Sequence, residues 1–120
     1  FDVFLLWPNP YGHIVSALGA GRVGGRGVAP GANIGDAAAV FEPVHGGAPR
    51  HAGKNRVNPL ATLLSGVLML RHLNEMAAAD LIMAAVIRVL EEKKSLTYDL
   101  GGSAGTSDMA DAIIKAMDTR

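Results

Sequence analysis

After Gly19 the chain meets six more glycines and a proline by Gly35, and neither a helix nor a central strand is expected to propagate through such a stretch. It reads as loop, with Ala32–Gly35 a brief extended piece. Regular structure has to be built on either side. Upstream, Phe1–Trp7 is a nearly continuous apolar run closed by Pro8-Asn9-Pro10, as a buried parallel strand would be. Tyr11–Leu18 follows with helical spacing, Ile14, Val15 and Leu18 on one side. Downstream, Ala37–Val44 reads as a second buried strand that Pro43 keeps from being a central one.

A polar, turn-rich loop, His45–Val57, then leads to Asn58-Pro59, an N-cap side chain followed by proline at the first helical position. Leu60, Leu63, Leu64, Val67, Leu68 and Leu70 give the helix Pro59–Leu73 a broad apolar face, so it should be mostly buried. Glu75–Lys93 makes another helix, acidic at its start and ending in Lys93-Lys94, as the macrodipole favours. Ser95–Leu100 reads as extended, Gly101-Gly102 as a turn, and Thr106 or Ser107 as the cap of a last helix reaching Met117. The fold class is α/β, with few strands for this much apolar helix. Residues 1–120 form one domain, a size that suits a single core.

Composition narrows the function. Formal net charge is zero, which argues for neither nucleic acid nor an acidic membrane face as partner. The longest apolar run, Leu60–Leu70, is broken by Thr62, Ser65 and Gly66 and is too short to span a membrane. No targeting segment is visible, and the absence of cysteine suits a reducing compartment, so a soluble cytoplasmic protein is expected. Only 18% of residues are charged and mean hydropathy is positive at +0.24. A domain that apolar is expected to cover part of itself with a partner, as a homo-oligomer or in a complex with another chain. The chain starts at Phe1 rather than Met, inside a strand-like run, which suggests a piece of something longer or a trimmed product.

Gly19-Ala20-Gly21-Arg22-Val23-Gly24 matches the dinucleotide fingerprint G-x-G-x-x-G, with Glu42 further on. The context fails, because the glycines neither follow a strand at once nor open a helix. The loop His45–Arg56 is more telling. Two histidines, three cations and three glycines sit together ahead of a capped helix. Glycines let backbone N–H groups approach a ligand, while Arg, Lys and a helix N-terminus attract phosphate. An ordinary solvated loop of the same composition is the alternative. His45 and His51 lack the spacing and partner carboxylates of a zinc site. Tyr98 suits stacking on a ligand or a plain turn equally well. His72 reads as a helix-face residue. No Ser/His/Asp, Cys/His or paired-carboxylate set can be assembled, so no catalytic residue and no metal ligand is assigned.

Three separated motifs, "NPYGHIVSALGAGRVGGRGVAPGANIGD", "AVFEPVHGGAPRHAGKNRVNP" and "LTYDLGG", together resemble the C-terminal part of the β-decarboxylating dehydrogenases of the isocitrate and isopropylmalate type. The resemblance implies a partial large domain of that fold, few strands packed with about four helices, and NAD or NADP bound without a Rossmann fingerprint. The cofactor-binding set it implies is His45, Gly46, Gly47, Ala48, Arg50, His51, Val57, Asn58, Tyr98 and Asp99. Arg50, His51 and Tyr98 lean toward NADP-type members, although the arginine of that class four residues beyond the tyrosine is Gly102 here. Family members hold Mg²⁺ or Mn²⁺ with two aspartates one helical turn apart. His13 and Ala17 stand in their places, so that site reads as lost. The substrate-binding and catalytic residues belong to a part of the family chain that this sequence does not contain. Family members also dimerise. Three functions follow as expectations: a cofactor-binding fragment or subunit of an oxidoreductase, inactive alone; a non-catalytic regulatory or inhibitory binding protein; or a structural protein that reuses the fold.

Overall fold

The computed structural model describes residue 6 and residues 8–118. Apart from Leu6, the strand read in Phe1–Trp7 lies outside the described residues. The order is α1 (Asn9–Arg22), β1 (Pro30–Ile34), β2 (Ala39–Pro43), α2 (Leu60–His72), α3 (Met76–Glu92) and α4 (Thr106–Asp118). Single 3₁₀ turns at Pro49–His51 and Tyr98–Leu100 interrupt the long connections. The α/β class is as expected.

α1 runs past Leu18 and through Gly19 and Gly21, where the glycine count predicts loop. A glycine inside a helix costs only about 1 kcal/mol relative to alanine, too little to end one by itself. The helix ends where the backbone turns left-handed, with Gly24 at φ 114° and the Gly25 N–H returning to Ala20 O at 2.8 Å. That is a Schellman closure, which favours glycine. The G-x-G-x-x-G string thus lies in a helix and its C-terminal cap. Among the described residues α1 packs against no other helix or strand, and Tyr11, Ile14 and Leu18 stay exposed.

β1 and β2 form an antiparallel hairpin in register from Pro30↔Pro43 to Ile34↔Ala39. The sequence pattern predicts a buried second strand. Instead it alternates, with Ala39, Phe41 and Pro43 half-covered and Val40 and Glu42 exposed. A two-stranded sheet has one face on α2 and leaves the other open, so only every second residue is sheltered.

α2 lies between this hairpin and α3, and α3 in turn packs on α4. Leu60, Ala61, Ser65 and Val67 are buried, and Ser65 Oγ–H donates to Ala61 O at 2.8 Å. Leu63, Leu64, Leu68 and Leu70 are only half-buried, because a thin sheet cannot cover both flanks. The core is Leu60, Ala85, Val86, Val89, Leu96, Met109 and Ile113, at the end of the molecule where α2 begins. Residues 95–100 are not the extended segment their pattern predicts. The 3₁₀ turn at Tyr98–Leu100 instead lets Leu96 and Leu100 reach the same core while Tyr98 and Asp99 face outward. Met109 is fully buried, so Met109→Ala should lower the unfolding free energy by about 2–5 kcal/mol in a denaturant titration. The exposed Ile114 on the same helix, changed to Ala, should shift it by no more than about 0.5 kcal/mol.

Candidate functional site

The loop between β2 and α2 closes over a groove of about 1080 Å³. Its other walls are Arg26 and Gly27 before the hairpin, Thr62 on α2, Tyr98 and Asp99 on the 3₁₀ turn, and Thr106 at the start of α4. Of the cofactor-binding residues that the resemblance implies, all but Arg50 line it. Arg50 sits on the Pro49–His51 turn, exposed and outside the lining.

Asn58 and Asp99 tie the loop to the turn. Asn58 Nδ2 donates to Asp99 Oδ2 at 2.9 Å, while Thr97 Oγ1 donates to Asp99 Oδ1 at 2.6 Å. Thr97 is fully buried, so the carboxylate has a rigid base. Asn58 also accepts the Leu60 N–H through Oδ1 at 2.9 Å, the cap expected from Asn58-Pro59. Both Asp99 oxygens are therefore engaged by protein donors, and this residue acts as a strut.

Above that strut Tyr98 presents its ring. The Arg56 guanidinium carbon lies 4.5 Å from the ring centroid, within cation–π range. The His51 ring lies 6.1 Å from it at 36°. Arg26 and Arg56, the two guanidinium groups in the lining, have no carboxylate partner among the described residues. Asp99 is the one carboxylate in the lining, and it is already bonded. The groove is electropositive.

The two helix N-termini nearby contribute less than expected. In α2 the Leu60 N–H goes to Asn58 and the Ala61 N–H to Gly27 O at 3.1 Å. In α4 the N–H groups of Gly105, Thr106 and Ser107 are taken by Asp108 and Asn55. Backbone donors remain elsewhere. Gly46, Gly47 and Ala48 line the groove, and their N–H groups donate to no protein acceptor among the described residues. Three successive free amides beside two guanidinium groups suit an anion, above all a phosphate. Among the described residues no three His, Asp or Glu side chains gather in a group that could hold an ion.

His13 and Ala17 are exposed on α1 and are not among the groove's lining residues. An imidazole and a methyl group do not fit a hard divalent cation that takes oxygen ligands. Arg26 has no signal in the sequence, since only the hairpin brings the glycine-rich stretch to the loop. Nor does Asn55 show there as a cap, because its partner is a helix far along the chain.

The family model described as isocitrate/isopropylmalate dehydrogenase matches residues 1–113. The NADP isocitrate dehydrogenase of Thermus thermophilus is 52% identical over 118 residues, covering 96% of this chain and 24% of that protein. A mitochondrial regulatory subunit of NAD isocitrate dehydrogenase from Dictyostelium discoideum is 50% identical over 115 residues, covering 95% of this chain and 32% of its own. The crystal structure of isocitrate dehydrogenase from Methylococcus capsulatus superposes with a TM-score of 0.86 at 46% identity, over 91% of this chain and 33% of that one. The chain thus spans a quarter to a third of the relatives it matches. With a groove walled by the motifs that carry the resemblance and a family model that matches nearly its whole length, the chain belongs to the isocitrate/isopropylmalate dehydrogenase family.

Proposed function

We propose that the groove binds a nicotinamide adenine dinucleotide, NADP ahead of NAD, and that the chain is a cofactor-binding portion of an oxidoreductase that does not turn over substrate alone. The observation that carries this is the pairing of Arg26 and Arg56, both without carboxylate partners among the described residues, with the free amides of Gly46–Ala48. Tyr98 and His51 offer flat faces for a ring, and the two guanidinium groups offer charge for phosphates. The Asn58–Asp99 bond ties the loop to the turn that carries Tyr98. The family relation supports the class of ligand, since relatives are named both as NAD and as NADP enzymes.

Calorimetric titration of NADP and of NAD into the chain is the direct test. NADP should bind more tightly, and Arg56→Ala should weaken it roughly tenfold, on the order of one charge-assisted hydrogen bond. No heat from either nucleotide at millimolar concentration would remove the groove from the functional account.

The exposed Tyr11, Ile14 and Leu18 of α1 favour association with another chain. They also keep open a second reading, a regulatory chain, since one relative is named as regulatory and the metal positions carry His13 and Ala17. A rise or fall in the turnover of an active family dehydrogenase on mixing would select it.

A further inference from the structure

The loop that forms the groove has turns of its own, and it is also tied to a helix far along the chain. Asn55 adopts a left-handed φ of 49°, which asparagine tolerates better than most residues. From there it reaches the first turn of α4. Its Oδ1 accepts from the Ser107 N–H at 2.9 Å, and its Nδ2 donates to Ser107 Oγ at 2.7 Å. Its backbone carbonyl accepts from the Thr106 N–H at 3.0 Å, and Thr106 Oγ1 donates to Val57 O. Asn55 and Ser107 are 52 positions apart. Local pattern assigns the cap of α4 to Thr106 or Ser107; in the folded chain those residues are the ones being capped. Gly105 leaves the necessary hollow, since a Cβ there would lie 2.7 Å from Asn55 Nδ2 and 2.9 Å from Asn55 O.

α4 otherwise serves the core, burying Met109 and Ile113, and gives only Thr106 to the groove. Asn55 also lines the groove, but both ends of its amide are engaged by Ser107, and it is next in the chain to the Arg56 that covers Tyr98. We propose that Asn55 is a positioning residue: it clasps the loop to α4, so that Arg56 stays over Tyr98 and Asn58 against Asp99, and thereby sets the affinity of the groove without itself meeting the ligand. The proposal rests on the nucleotide reading given above.

The experiment titrates NADP into the full chain and into Asn55→Gly, Asn55→Asp and Gly105→Ala, with amide hydrogen exchange followed on each. Asn55→Gly removes both side-chain bonds while keeping the left-handed backbone accessible. It should weaken NADP by about fivefold to tenfold, the scale of a lost hydrogen bond expressed as an affinity ratio. Exchange should quicken at Ser107 and across residues 45–58 while the core of α3 stays protected. Asn55→Asp keeps an acceptor for the Ser107 N–H and should return loop exchange to the parental rate. Gly105→Ala should reproduce the loss from the helix side. Parental NADP affinity in Asn55→Gly overturns the proposal. So does an Asn55→Asp loop that exchanges as fast as that of Asn55→Gly, because an acceptor for the Ser107 N–H would then not hold the clasp. A parent chain that binds no NADP sinks the nucleotide reading; loop exchange alone then decides the clasp, which fails if Asn55→Gly leaves it unchanged.

Discussion

Gly102→Arg should lower the unfolding free energy by more than about 3 kcal/mol, the range reached when backbone is forced apart inside a packed core. A Cβ at this position would lie 2.6 Å from the Leu96 carbonyl carbon and 2.7 Å from Leu96 Cβ, and closer still to Leu96 O. None of these is the end of a flexible side chain. Nor can the backbone drift away, because the Gly102 N–H donates to Thr97 O at 3.0 Å and the Ala104 N–H to Leu96 O at 2.9 Å. Leu96 is itself in the core. Any shift must therefore open the core or the turn that carries Tyr98 and Asp99. The resemblance places an arginine here in NADP-type members, so the substitution looks like a gain of cofactor contact. The geometry makes it a loss of fold. Gly102→Ala isolates the cause, since the first carbon alone makes the overlap, and should account for most of the effect. Gly46→Ala, with nothing within 4 Å of its added carbon, should move stability by no more than about 0.5 kcal/mol. A Gly102→Ala chain that melts in denaturant at the parental midpoint would show that the turn is not fixed as described.

What can be read from the residues follows from how local each cause is. The helices expected at Pro59–Leu73 and Glu75–Lys93 are found at Leu60–His72 and Met76–Glu92. Their ends are set by neighbours, Asn58 capping one and left-handed Lys93 closing the other. The end of α1 is hidden because a tally of glycines does not say which of them turns left-handed; it is Gly24 and Gly25, not Gly19. The cap of α4 is hidden for the opposite reason, its donor being remote in sequence. Residues 95–100 mislead because an apolar-polar run fits a strand as well as a turn that gives Leu96 and Leu100 to one core. The groove loop is legible from its glycines, cations and resemblance. Arg26 is not, since its place in the groove depends on tertiary structure.

The purified chain, supplied with Mg²⁺, NADP and isocitrate, isopropylmalate or tartrate, should produce no NADPH. Oxidative decarboxylation in this family needs a cation to polarise the substrate hydroxyl and stabilise charge as carbon dioxide leaves, a contribution of several kcal/mol. It also needs a placed acid and base, typically worth about 10²–10⁴-fold in rate. For the first, α1 offers the exposed His13 and Ala17, an imidazole and a methyl group, neither of them an oxygen ligand. For the second, the groove offers Asp99, whose oxygens are bonded to Asn58 and Thr97, and histidines set against Gly46 O and the Tyr98 ring. On the proposed reading both requirements go unmet, so their deficits multiply. His13→Asp with Ala17→Asp would put two carboxylates one turn apart on the same face of α1. That variant should bind Mn²⁺ weakly, at millimolar levels, by calorimetry, and should still give no turnover, because the groups that move protons are not supplied with the metal. Metal-dependent NADPH formation by the unaltered chain, proportional to protein and abolished by Arg56→Ala, would overturn this expectation.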